Sequence, residues 1–223
     1  TVDEVRGAER FRVAFDPSRG YGPSMRTLLE AATDGADVVH RAAAYFEGQG
    51  SMGNGAVMRV APLGAWFATE PDRIRDEARR SARATHAHDE ASAGAIAIAH
   101  GAAAFARGES ASALLDHVLL ETPDSLVRER IEMARRRSNE PLAKLAKAVH
   151  ADRDITCPAT VPFALAVATR FSDDLERALW ETVSVGGDRD THAAIVGGLL
   201  GARPGNVLPA AMLERREPLL LCV

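Results

Sequence analysis

The chain has 223 residues, 46% of them hydrophobic and only 5% aromatic, enough for one globular domain with a single core and too apolar for a disordered segment. Its 27 Lys and Arg against 31 Asp and Glu leave a net charge of −4, which argues against nucleic acid as a partner, because phosphate binding is driven by basic side chains. No apolar run reaches the ~20 residues that span a bilayer, residues 1–12 are charged rather than leader-like, and Cys157 and Cys222 have neither metal nor redox spacing, so a cytoplasmic protein with two plain thiols and no membrane contact is expected.

In chain order, residues 1–12 look helical but begin without a visible start, as though they were the second half of an element. An Asp16-Pro17 turn then leads into Arg19-Gly20-Tyr21-Gly22. Apolar residues at helical spacing predict helices over 24–33, 35–47, 71–83, 90–106, 110–120, 123–137, 140–149, 173–183 and 191–202. Ser24, Ser110 and Ser172 are expected N-caps, since a short side-chain oxygen can accept a free N–H of the first turn. Gly48 and Gly108 are expected stops. The basic runs Arg135-Arg136-Arg137 and Arg215-Arg216 are short and flanked by acids, and read as solvated helix faces. No stretch alternates long enough to be a strand, no repeat stands out, and abundant alanine suits closely packed helices. The expectation is an all-α, single-domain protein over residues 1–223.

Four segments could carry chemistry. Residues 50–59, Gly50-Ser51-Met52-Gly53-Asn54-Gly55-Ala56-Val57-Met58-Arg59, form a glycine-rich loop with a helix expected soon after. Open N–H groups in such a loop can cradle phosphate or ribose oxygens, although most glycine-rich loops are simply turns. Thr85-His86-Ala87-His88-Asp89-Glu90 opens the Ala-rich helix. Its histidines are two apart and cannot face the same way on a helix, so at most one points into a site, and helix capping is the plainer reading. His100, inside that helix, reads as a core or surface histidine. Ser172-Asp173-Asp174 offers adjacent carboxylates, but capping and dipole complementation explain them.

The strongest segment is Gly186-Gly187-Asp188-Arg189-Asp190-Thr191. Asp188 and Asp190 can converge only where the backbone is still a loop, which the two glycines permit. With the Thr191 hydroxyl they make an all-oxygen cluster suited to Mg²⁺, Mn²⁺ or Ca²⁺ rather than zinc. An ordinary N-cap uses the same residue types. Gly197, Gly198 and Gly201 in the following helix cost about 1 kcal/mol each relative to Ala, which points to close packing by neighbouring backbone.

Taken in order, these segments resemble the ADP-ribosylglycohydrolase family. The family's Gly-Ser-x-Gly-Asn-Gly-Ala-x-Met-Arg loop is matched by residues 50–59 and followed by Pro62-Leu63-Gly64. Its Thr-His-x-His segment is matched by residues 85–88, its Thr-Val-Pro-Phe-Ala stretch by 160–164, and its Gly-Gly-Asp-x-Asp-Thr by 186–191. The resemblance implies an all-α fold, two Mg²⁺ or Mn²⁺ ions, and hydrolysis that releases ADP-ribose from a protein side chain or small molecule. It implies metal ligation by Asp188, Asp190 and Thr191, with Asp188 and Asp190 catalytic and Asp190 bridging. Gly50, Ser51, Met52, Gly53 and Asn54 are then expected along the phosphates and ribose, and His86 near the reacting end. The family's Gly-Asp and Asp-Asp-Thr segments, which supply further metal ligands, find no match here and are expected before Thr1. The same resemblance leaves room for a member that binds ADP-ribose without catalysis.

Overall fold

In the computed structural model, which describes residues 1–205 and 208–218, the chain forms α1 (Glu4–Val13), α2 (Pro23–Ala31), α3 (Gly35–Gly48), a 3-10 turn (Val57–Arg59), α4 (Ala61–Trp66), α5 (Pro71–Arg83), α6 (Asp89–Ala106), α7 (Ala111–Glu121), α8 (Leu126–Arg136), α9 (Leu142–Val149), α10 (Cys157–Arg170), α11 (Leu175–Ser184), α12 (Arg189–Gly201) and α13 (Ala210–Glu214). No strand occurs among the described residues; the pairing of Gly53 with Thr156 is an isolated bridge. The all-α expectation holds. No helix of the described residues is long and apolar enough to cross a membrane. Cys222 lies outside the described residues.

α6 is the centre. Every residue from Ala91 to Phe105 is buried, so the helix is enclosed on all sides. Small residues make that possible: a Cβ on Gly64 of α4 would lie 2.1 Å from the Ala99 carbonyl oxygen. On the α6 side, a Cβ on Gly101 would press on Leu199 and Leu165 at 3.1 and 3.2 Å, from α12 and α10. α10 is buried nearly as completely, from Cys157 to Ala168. A separate small core joins α1, α2 and α3 through Ala8, Leu28, Leu29, Val38 and Ala42.

Several expectations need correction. The first helix is properly initiated, since Asp3 caps α1 by accepting the Arg6 N–H at 2.9 Å. Ser24 does not cap α2, which starts one residue earlier on Pro23, a residue whose fixed φ suits the first turn. Ser110 stands at the cap of α7, yet its hydroxyl meets Ser112 rather than a backbone N–H. Asp174, not Ser172, caps α11 through the Arg177 N–H. α10 was not among the predicted helices: apolar on every side and carrying Pro158 and Pro162, it shows no amphipathic period. Gly48 and Gly108 do adopt the left-handed φ of helix stops, at +85° and +77°. Among the described residues, Gly198 is the one α12 glycine closely faced, with its Cβ position 2.8 Å from that of Ala61, and Gly201 meets none of them within 4 Å.

Candidate functional site

The loop after α3 is held in an open shape. Regular helical geometry in α3 ends before Tyr45, and Phe46 and Glu47 take positive φ of 52° and 60°. Gly50 follows at φ +76°, and a Cβ there would strike the His88 nitrogen at 2.7 Å. The segment before α10 pins the loop from the other side: Asn54 N–H donates to the Ile155 carbonyl, and Cys157 N–H to that of Met52, each at 2.9 Å. The Cys157 thiol also reaches the Gly53 carbonyl at 3.3 Å, and burial pushes that thiol's pKa up. It is an inert packing group.

The loop is less open than its composition suggests. The N–H groups of Gly50, Gly53 and Asn54 are engaged by the Tyr45 carbonyl, the Ser51 hydroxyl and the Ile155 carbonyl. Those of Ser51, Met52 and Gly55 donate to none of the described residues. They are the donors left for an anionic ligand.

His86 stands against this loop. Its Nε2 would lie 3.0 Å from a Cβ on Gly55 and 3.6 Å from one on Gly53. Its Nδ1 is 2.8 Å from the Thr85 hydroxyl, which in turn accepts from Arg59 Nη2 at 2.8 Å. Burial, with the Arg59 cation beside it, lowers the His86 pKa to about 3, so the ring is neutral at pH 7. His88 turns away: it caps α6, accepting the Glu90 N–H on Nδ1 at 3.0 Å. His100 is a core residue, 2% exposed.

The carboxylates come from the start of α12. Gly186 and Gly187 take φ of +95° and +69°, and a Cβ on Gly187 would sit 2.2 Å from the Ala151 carbonyl oxygen. The helix begins at Arg189, so the boundary falls between the two acids. Asp188 has non-helical backbone and Asp190 lies within the first turn. That break lets side chains two apart meet. The Asp190 carboxyl lies beside that of Asp188, close enough for the two to share a proton, and this neighbour, ahead of the backbone N–H groups of Thr191 and Asp190, holds the Asp190 pKa below the usual carboxylate value. Asp188 stands at the N-cap position but makes no capping hydrogen bond. Its Oδ2 instead accepts from the Asn54 side-chain amide at 2.7 Å, and that amide also donates to Thr160 Oγ1 at 3.0 Å. Asp188 therefore does not cap α12 through its side chain, while Asp190 lies in the first turn, where a carboxylate complements the helix dipole.

Glycine loop, His86 and the acid pair thus converge, with Thr191 buried beside Asp190. The pair with Thr191 is a hard, all-oxygen donor set that fits one side of a divalent cation site. No group of three or more His, Cys, Asp or Glu side chains suited to a metal occurs among the described residues. Ser172-Asp173-Asp174 stays apart, with Asp173 paired to Arg203 and Asp174 capping α11. An open groove of about 540 Å³ runs along α11 from Asp174 past Trp180, and none of the glycine-loop, His86 or acid-pair residues line it.

Sequence reading assigned no role to four residues around the site. Thr160 was noted only as part of a stretch, yet it orients Asn54. Arg59 and Thr85 act behind His86. His192 is fully buried with both ring nitrogens unpartnered among the described residues, 5.1 Å from the Phe163 ring, and burial lowers its pKa against the pull of Asp188 and Asp190. These contacts join distant positions, and only Thr85, next to His86, was readable locally.

A family model described as ADP-ribosylglycohydrolase matches residues 3–220. ADP-ribosylhydrolase ARH3 of Bos taurus is 32% identical over 91% of this chain, and the Homo sapiens protein of that name is 30% identical over the same share. The uncharacterized protein YegU of Escherichia coli strain K12 is 29% identical over 82% of this chain and 58% of its own length. The chain spans 65% of the length of the two ARH3 proteins. With its family model matched almost end to end, the chain belongs to the ADP-ribosylglycohydrolase family.

Proposed function

We propose that this chain binds ADP-ribose along the loop of Gly50 to Asn54 and serves a metal-assisted hydrolase that releases ADP-ribose from an ADP-ribosylated side chain or small molecule. The observation that carries the reading is the Asn54–Asp188 hydrogen bond, which fixes the glycine loop against the acid pair. The relatives named ADP-ribosylhydrolase support it.

The free N–H groups of Ser51, Met52 and Gly55 would hold phosphate or ribose oxygens without bringing a counter-charge. Neutral His86 would add a donor or acceptor at the loop floor. Asp188, Asp190 and Thr191 would hold one side of a Mg²⁺ or Mn²⁺ site, two such ions being the family's complement; a cation there would supply Lewis acidity and orient ribose oxygens. The acid pair also places negative charge where positive charge develops at an anomeric carbon during departure of the leaving group. Asn54 keeps Asp188 turned toward that point. Thr160 holds Asn54 in turn, so the carboxylate direction is set by the buried start of α10.

The test is release of ADP-ribose from ADP-ribosylated arginine and serine peptides with excess Mg²⁺ or Mn²⁺. Turnover that disappears in Asp190→Ala supports the hydrolase, and undiminished turnover in that variant contradicts it. A second reading, an ADP-ribose binder without catalysis, is favoured by the small donor set at Asp188, Asp190 and Thr191. ADP-ribose binding without any turnover by the wild type would select it.

A further inference from the structure

His86 is joined to a cation through one hydroxyl. Arg59 Nη2 donates to Thr85 Oγ1 at 2.8 Å and to the Ser81 carbonyl at 2.9 Å, while Nη1 donates to the Gly55 carbonyl at 3.2 Å. The guanidinium also lies over the Phe11 ring at 4.5 Å, so it is fixed from both sides. A guanidinium has no acceptor, which makes Thr85 Oγ1 the acceptor in that bond.

The Thr85 hydroxyl still carries one proton. Thr85 is 2% exposed, and its hydroxyl has only Arg59 and His86 Nδ1 within hydrogen-bond reach among the described residues. A proton on Nδ1 would leave the hydroxyl proton buried without an acceptor, a loss that a Thr85-to-Nδ1 bond avoids. Nδ1 then accepts, and a neutral ring must carry its proton on Nε2. Nε2 has no protein partner among the described residues, is not closed off from solvent, and faces Gly53 and Gly55.

We propose that Arg59 and Thr85 are positioning residues that fix the His86 tautomer, holding its single proton on Nε2 as a hydrogen-bond donor aimed into the glycine loop, toward a phosphate or ribose oxygen of the ligand. The nature of the ligand rests on the ADP-ribose reading above; the tautomer rests on the hydrogen bonds alone. Thr85 supplies direction and Arg59 supplies polarity. The cation strengthens the hydroxyl as a donor and opposes a second proton on the ring.

The experiment is nitrogen–proton correlation spectroscopy of the histidine rings in the full 223-residue chain at pH 7, with His86 assigned by loss of its signals in His86→Gln. The expected spectrum shows His86 protonated on Nε2 alone. Thr85→Ser should keep that pattern. Thr85→Val, which removes only the hydroxyl, should populate the Nδ1–H form and weaken ADP-ribose binding about tenfold in calorimetry. A wild-type ring protonated on Nδ1, or on both nitrogens, overturns the proposal. So does a folded Thr85→Val protein that keeps the Nε2–H form alone. If Thr85→Val does not fold, the wild-type spectrum and Thr85→Ser decide. An Nε2–H ring in a chain that binds no ADP-ribose upholds the relay and contradicts the ligand reading instead.

Discussion

The side-chain amide of Asn54 donates to Asp188 Oδ2 at 2.7 Å, joining residues 134 positions apart. Asn54 is 7% exposed, so the amide is tied up by Asp188 and Thr160 rather than by water. Asn54→Ala should therefore destabilise the fold by about 1–3 kcal/mol, the usual cost of stranding buried polar partners. Asn54→Asp should destabilise the metal-free fold further, because it sets a carboxylate against Asp188 at hydrogen-bond distance, and Mn²⁺ should recover part of that loss. Urea denaturation and Mn²⁺ titration measure the two effects. Unchanged stability in Asn54→Ala would show that the bond does not hold the loop.

Two glycines should respond in opposite directions. Gly64→Ala drives a Cβ to within 2.1 Å of the Ala99 carbonyl oxygen, and backbone on α6 cannot step aside cheaply. A loss of about 3 kcal/mol or more is expected, the upper range for overpacking. Gly7, inside α1, meets nothing within 4 Å, so Gly7→Ala should stabilise by about 0.5–1 kcal/mol. Thermal or denaturant unfolding of both variants checks the contrast.

Acid should weaken the fold through its buried histidines. Burial pushes His100 down to about 4, with the cations of Arg75 and Arg107 and the neighbouring His117 adding to it and Glu121 opposing. The unfolded chain, with His100 near 6.5, then binds a proton that the folded one does not. Stability falls as pH drops from about 6.5 to about 4, and His100 adds no further slope below that. His100→Leu should reduce the slope within that window by up to one proton's worth, about 1.4 kcal/mol per pH unit. Denaturation midpoints at a series of pH values measure this, and an unaltered slope in the variant would contradict it.

Amphipathic helices were legible because one face of each is polar. α5 appears at the residues its spacing predicts, whereas α6, buried on all sides, was legible from its long alanine-rich run and starts one residue before the predicted bound. α10 is buried as fully but carries Pro158 and Pro162, so it showed neither an amphipathic period nor an unbroken run of helix formers. The acid pair was readable from Gly186 and Gly187, whose positive φ values were expected. The Asn54–Asp188 bond and the Arg59–Thr85–His86 chain were not, since local patterns carry no information about which loops meet across a core.

Cation binding should depend on the acid pair together. Asp188→Asn keeps the bulk but removes a charge, and should weaken Mn²⁺ binding at least tenfold, because a hard cation gains most from anionic oxygen. The same substitution leaves Asn54 facing an amide, so a modest stability loss of about 1 kcal/mol is expected alongside. Electron paramagnetic resonance of free Mn²⁺ measures the binding directly. Equal binding by Asp188→Asn and wild type would remove Asp188 from the site.

On the proposed function, ADP-ribose lies along the glycine loop beside the acid pair. Calorimetric titration of ADP-ribose into the wild-type chain and Gly53→Val, with and without Mn²⁺, tests it most directly. A Cβ on Gly53 already comes to 3.2 Å from the Ser51 hydroxyl and 3.6 Å from the His86 ring, so a valine there crowds the space between the loop and His86. The wild type should bind ADP-ribose, more tightly with Mn²⁺, and Gly53→Val should lose at least tenfold in affinity while remaining folded by circular dichroism. Equal affinity in the two proteins, or no binding by the wild type under either condition, would contradict it.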